Sequence, residues 1–167
     1  MLYCLTAAVV VRAADRIEAA GDVLTIALPV AAASLTLGFK DGQGAVQLGE
    51  SAVLSLGVTY GLKFTIDAKR PNGGNESFPS THTSISFTSA EFMRKRYGWA
   101  YGIPAYAAAT FVAYSRVESD QHYTRDVIAG AVIGIGSSYL FTQPYKGWHI
   151  QPDVDHSYYR IRFSHNW

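Results

Sequence analysis

The chain has 167 residues, enough for one domain with a sizeable core and too few for two comfortable ones. Charged residues make up only 16% and hydrophobic ones 49%, a balance that suits a helical bundle with little polar surface, or one lying in or against a membrane. A net charge of +1 excludes the global basic field of a nucleic-acid binder, and the single cysteine, Cys4, excludes an internal disulfide and a cysteine-built zinc site.

Residues 1–20 open with the apolar run MLYCLTAAVV, about as long as a signal-peptide core, and VRAAD supplies small residues near a cleavage-like position. No basic residue precedes that run and Arg12 sits beside the proposed cut, so a signal remnant and a short first helix stand as equal alternatives. Residues 21–145 read as one helical domain. Val23–Phe39 is its first strong apolar segment, closed by Lys40, Asp41 and Gly42. Ala45–Leu62 follows, interrupted by Glu50 and ending at Lys63. The polar stretch DAKRPNGGNES then leads to a predicted helix from about Ser80 to Tyr97, in which Ile85, Ser89 and Phe92 recur at amphipathic spacing. Arg94, Lys95 and Arg96 crowd its last turn, where cations suit the helix dipole, and Gly98 ends it. Ile103–Ser115 and Val127–Phe141 complete the set, the latter with Gly130 and Gly134 four apart for close helix contact. In the tail, 146–167, Tyr159, Ile161 and Phe163 alternate with polar residues, as in a short exposed strand or an unstructured end.

The expected fold is therefore all-α, a compact helical bundle of about five to six helices. A bilayer-spanning helix needs about 20 apolar residues, and only the first two segments approach that. If successive helices reverse direction, the loops around residues 63–79 and 115–126 gather at one end. The Arg94–Arg96 cluster and Lys146 lie at the other, which in a membrane would face the cytoplasm.

That first end collects the chemistry. KFTIDAKRP places Lys63 and Arg70 six residues apart, PSTH runs from Pro79 to His82, and SRVESDQHYTRD sets Arg116, His122 and Asp126 in order. Such residues suit a transferring phosphoryl group, whose charge spreads over three oxygens and asks mainly for positioning and electrostatic stabilisation. Lys63, Arg70 and Arg116 offer one compact cation and two planar forks, while Ser80 and the free amides opening the next helix add neutral donors. His122 and Asp126 stand at i, i+4, so on a helix the carboxylate would share the imidazole's face and orient a histidine nucleophile. His82 suits a general acid near neutrality. Each piece alone has an ordinary explanation: a solvated loop cation, an N-cap, a helix-surface pair. Their ordered conjunction at one end favours the chemical reading. His149, His156 and His165, with Asp153 and Asp155 nearby, fit no metal spacing and are read as surface residues. The run Tyr97, Trp99, Tyr101 is read as an interface belt or as packing at a helix junction.

The three stretches closely resemble the signature of the type 2 phosphatidic acid phosphatase and vanadium haloperoxidase superfamily: Lys, six residues, Arg-Pro; Pro-Ser-Gly-His; and Ser-Arg, five residues, His, three residues, Asp. The first and third match at every defining position, and the second departs at Thr81, where the family has Gly. The likeness covers roughly residues 20–145. It implies His122 as a nucleophile forming a phosphohistidine, Asp126 orienting it, and His82 as general acid and then base. Lys63, Arg70, Ser80, the Thr81 amide and Arg116 would hold the phosphate, with no metal or other cofactor. If the family's Gly takes a positive φ there, Thr81 would strain the loop.

The expected activity is thus that of an acid or lipid phosphate phosphatase, hydrolysing a phosphomonoester or diphosphate: a lipid phosphate, a polyprenyl diphosphate or a small soluble ester. A vanadate-dependent haloperoxidase and a non-catalytic phosphate-binding bundle are the alternatives. The expected partners are a phosphorylated lipid or small phosphoester and a membrane, with no nucleic acid. The expected place is the bacterial cell envelope, in the membrane or the periplasm, with the site facing away from the cytoplasm.

Overall fold

The computed structural model describes residues 2–145, 148–155 and 158–165, with side chains described over 15–145 and 160–163. Five helices run in chain order: α1 Leu2–Gly38, α2 Gly42–Thr65, α3 Thr81–Tyr97, α4 Trp99–Glu118 and α5 Thr124–Phe141. The bundle is all-α, as its segment pattern predicts. The stretch 1–20, where a signal remnant and a short first helix stand as alternatives, runs from Leu2 into the Val23–Phe39 segment as part of one helix, Leu2–Gly38. The tail forms an antiparallel hairpin, β1 Trp148–Asp155 against β2 Tyr158–His165, rather than a lone strand. Lys146 and His156 lie outside the described residues, as do the side chains of Cys4, His149, Asp153, Asp155, Tyr159 and His165.

α3 is the central helix and packs on all four others. Its sequence is rich in hydroxyls, yet Thr83, Ser84, Ser86, Thr88, Ser89 and Glu91 are all buried. Burial on every side replaces the one-sided pattern expected from Ile85, Ser89 and Phe92. Ser84, Thr88 and Ser89 bond the helix's own carbonyls and Thr83 bonds Ser80 Oγ, while Ser86 Oγ has no hydrogen-bond partner among the described residues. Thr88 Oγ1 donates to the Ser84 carbonyl at 2.7 Å and Ser89 Oγ to that of Ile85 at 3.0 Å. Small side chains also let neighbouring backbones approach. A Cβ added at Gly134 would meet the Ser84 carbonyl oxygen at 2.2 Å, and one at Gly130 would meet that of Ser80 at 2.6 Å. The Gly130 and Gly134 pair thus sets α5 against α3, as the four-residue spacing suggests.

α2 repeats the pattern. Gly44, Gln47, Ser51, Ser55, Thr59 and Lys63 form its buried stripe, while Val46, Val53 and Phe64 face outward. The apolar core proper, Leu28, Ala32, Ala90, Phe92, Met93, Tyr97, Ala105 and Ala109, lies between α1, α3 and α4.

At the end bearing Arg96, a buried latch closes the bundle. Arg96 donates through Nε and Nη2 to the two carboxylate oxygens of Asp41 at 2.7 and 2.5 Å, and Tyr97 Oη donates to the same carboxylate. Arg96, one of the three cations in the last turn of α3, is therefore buried. Arg94 is bound by Glu91, and Lys95 lies over the Tyr139 ring. Tyr97 packs against Phe39, Tyr101 and Tyr145, which makes the aromatic run a helix-junction cluster.

Candidate active site

The opposite end gathers residues from every helix. α2 delivers Lys63 in its last turn, the 66–80 loop carries Arg70, and α3 opens with Ser80 as N-cap followed by Thr81 and His82. α4 ends with Arg116, and the loop before α5 holds His122. Arg70, His82, Arg116 and His122 line one cavity of about 200 Å³, together with Glu18, Asp22 and Gln121. Lys63, Ser80, Thr81 and Asp126 are not part of its wall. Lys63 and Asp126 still act on His122 through their charge.

His122 is buried, and its Nδ1 stands 3.8 Å from Asp126 Oδ2, beyond hydrogen-bond reach. The expectation that the two share a helix face is corrected: α5 starts at Thr124, so His122 belongs to the loop and only Asp126 to the helix. Asp126 is held by its own neighbours. Its Oδ2 accepts from Ser77 Oγ at 2.5 Å and from the Tyr123 amide at 3.0 Å, which fixes the start of α5. Burial, and then the nearby Arg70 and Lys63, push the His122 pKa down to about 4, against smaller upward pulls from the Ser77 backbone and Asp126. The ring is consequently neutral at pH 7, with a lone pair free.

The cations are held in place. Lys63 Nζ donates to the Glu76 carbonyl. Arg70 donates through Nε to the Asn75 carbonyl at 3.1 Å and through Nη1 to Gln121 Oε1 at 2.9 Å. Arg116, itself buried, donates to Asp22 Oδ1 at 2.8 Å, the Glu18 carbonyl at 2.7 Å and Ser115 Oγ at 3.2 Å. Ser80 Oγ accepts from the Thr83 amide and hydroxyl, the N-cap role that its position before a helix suggests. Thr81 is the first residue of α3 and has no positive φ. The strain anticipated at that position is absent, since a helical Thr costs little. Among the described residues no group of three or more His, Cys, Asp or Glu side chains is placed to hold a metal ion.

Residues 65–149 match the family model of the PAP2 superfamily. A lipid A 4'-phosphatase of Helicobacter pylori is 31% identical over 90% of this chain and 85% of its own length. The chain belongs to the PAP2 superfamily. A lipid A 1-phosphatase of Porphyromonas gingivalis is 33% identical over 47% of this chain, though over only 19% of its own. The crystal structure of Aquifex aeolicus LpxE shares the fold, with a TM-score of 0.59, 20% identity, and coverage of 71% of this chain and 83% of that one.

In this PAP2 protein four of the motif residues, Arg70, His82, Arg116 and His122, line the cavity. What the motifs do not include is the α1 contribution. Asp22 Oδ1 also lies 3.3 Å from His82 Nε2, and Glu18 Oε1 accepts from Gln121 Nε2 at 3.0 Å. The available signal was Asp15, Glu18 and Asp22 at helical spacing, an acidic stripe in a helix that also carries Arg12 and Arg16.

Proposed function

We propose that this PAP2 protein is a lipid phosphate phosphatase that works through a phosphohistidine at His122, without a metal. The observation that carries the reading is the convergence of Arg70, His82, Arg116 and His122, from separate segments, on one cavity. With Nδ1 turned towards Asp126, Nε2 of His122 is the atom free to attack phosphorus. The ester P–O bond breaks as a P–N bond forms, and the leaving oxygen takes a proton from His82. Water, losing a proton to His82, then attacks the phosphohistidine and frees phosphate and neutral His122. Lys63, Arg70 and Arg116 hold the charge on the equatorial oxygens, with Ser80 and the Thr81 amide as neutral donors. Asp126 steadies the imidazole as it becomes cationic. Its long contact with His122 in the free protein is of the kind that tightens on binding.

A lipid substrate is supported by the relatives and by the outer surface of the bundle. The relatives are lipid A phosphatases by name. The bundle turns Val23, Ile26, Val30, Leu37, Val53, Phe64, Val132 and Leu140 outward and buries many serines and threonines beside its apolar core. That arrangement fits a bundle solvated by lipid, where small and hydroxyl residues pack helices together. Residues 15–38 are long and apolar enough to cross a bilayer. An apolar groove of about 490 Å³, lined by Leu28, Leu35, Met93, Tyr101 and Pro104 among others, runs along the seam of α1 with α4. It begins about 9 Å along α1 from Asp22, at 1.5 Å per residue, which suits an acyl chain below a seated phosphate. The proposed place is the cell-envelope membrane, with the site end away from the cytoplasm.

The test joins fractionation to a phosphate-release panel of soluble monoesters, phosphatidic acid, lipid A and undecaprenyl diphosphate. The protein should stay with membranes, release phosphate from a lipid monoester, and lose that activity in His122→Ala. Undiminished release by that variant would rule the mechanism out.

A further inference from the structure

Asp22 holds a place that a substrate would need. Its Oδ1 accepts from Arg116 Nη1 at 2.8 Å and stands 3.3 Å from His82 Nε2, so one carboxylate oxygen joins a phosphate-holding cation to the general acid. The other Arg116 contacts go elsewhere, Nη2 to the Glu18 carbonyl and Nε to Ser115 Oγ. Those three contacts use three of the five guanidinium N–H groups, and Asp22 takes one of the two on Nη1. The two side chains differ in burial: Arg116 is 3% exposed and Asp22 51%. The arginine is fixed in the protein, whereas the carboxylate reaches it from the open side of the cavity.

The backbone beneath Asp22 cannot readily shift. Gly21 sits so close to α4 that a Cβ there would lie 2.0 Å from Ser115 Oγ and 2.8 Å from Arg116 Nη2. Helix α1 is seated on α4 at this point, so the freedom that remains is rotation of the half-exposed Asp22 side chain about its own bonds.

We propose that Asp22 is a built-in competing anion: in the free protein its carboxylate occupies one oxygen position of the phosphate seat, and a bound phosphate displaces it. The proposal rests on the reading of Arg116 and His82 as phosphate contacts. It makes Asp22 a determinant of specificity. A dianionic terminal phosphate has the charge to displace a single carboxylate from Arg116. A monoanionic diester has less, and Asp22 holds it off.

Because the seat is open only when Asp22 has swung away, apparent affinity is reduced by the fraction of time it is closed. A part-exposed ion pair of this kind implies a factor of about five. The experiment is titration of the detergent-solubilised full chain with inorganic phosphate, followed by the phosphate-induced rise in melting temperature, for wild type, Asp22→Asn and Arg116→Gln. Asp22→Asn should bind phosphate about fivefold more tightly and Arg116→Gln more weakly. A gain in affinity is a result that mere loss of a structural contact does not produce. Unchanged or weaker binding in Asp22→Asn, with Arg116→Gln weakened, overturns the role of Asp22 and leaves the cradle standing. If Arg116→Gln binds as well as wild type, the cradle reading itself falls, and the proposal with it. Should Asp22→Asn not fold, Asp22→Ser carries the same expectation.

Discussion

At the scale of single residues, the decisive property of His122 is that it is buried beside two cations and so resists protonation. Its pKa, pushed down from the usual 6.5 to about 4, keeps the proposed nucleophile neutral throughout the mildly acidic range. The sign follows directly: lowering the pH from 7 to 5 leaves the lone pair free, and only near pH 4 does protonation remove it. The acid limb of kcat/KM, which reports the free enzyme, should therefore fall near pH 4 to 5. An acid limb near 6.5 would mean that His122 is not the group in the buried loop position, or not the nucleophile. The same shift makes folding less favourable as pH drops from about 6.5 towards 4, because the unfolded chain takes up that proton first. Residue types and spacing made His122, His82 and Arg116 legible in the sequence. The geometry between them was less so: an i, i+4 pair suggests a shared helix face, but Asp126 caps its helix and leaves His122 outside it. Asp22 was legible only as one of three acids at helical spacing, a pattern that looks the same whether it meets solvent or an arginine 94 positions away.

At the scale of elements, α2 carries its polar side inward and α3 is buried on every side, hydroxyls included. Apolar runs show where the helices lie, yet they assign the wrong face to the interior if water is assumed to be the solvent. The four-residue recurrence of Gln47, Ser51, Ser55, Thr59 and Lys63 on α2 was readable as a stripe, though not as the buried one. Helix contact then depends on small residues. Gly134→Ala would drive a methyl into the Ser84 carbonyl and the Thr88 amide and should destabilise the bundle by about 1–3 kcal/mol, read as a lower melting temperature in detergent. Gly136 has open space around its Cβ position, so Gly136→Ala should be neutral or slightly stabilising. Equal effects at the two positions would show that the α3–α5 contact is looser than the structure has it.

At the scale of the molecule, the bundle has two unlike ends. One is latched by Asp41, Arg96 and Tyr97, all buried and mutually bonded. The other leaves charged side chains around an open cavity, with α1 acids facing motif cations across it. A rigid closed end and a polar open end are what a hydrolase in a lipid setting needs: the scaffold holds the catalytic groups, and water reaches only one side. The order of the motifs along the chain, together with alternating helix direction, already placed the site at one end. The inward polarity and the hairpin after α5 emerge only from the packed structure. The central claim, phosphoryl transfer through His122, is tested most directly by trapping the intermediate. The full chain is mixed with a radiolabelled lipid phosphomonoester, quenched in alkali during the first turnover, and digested to locate the label. The account predicts label on the peptide carrying His122 and none in His122→Ala. Label on another residue, or turnover with no labelled protein at any time point, would contradict it.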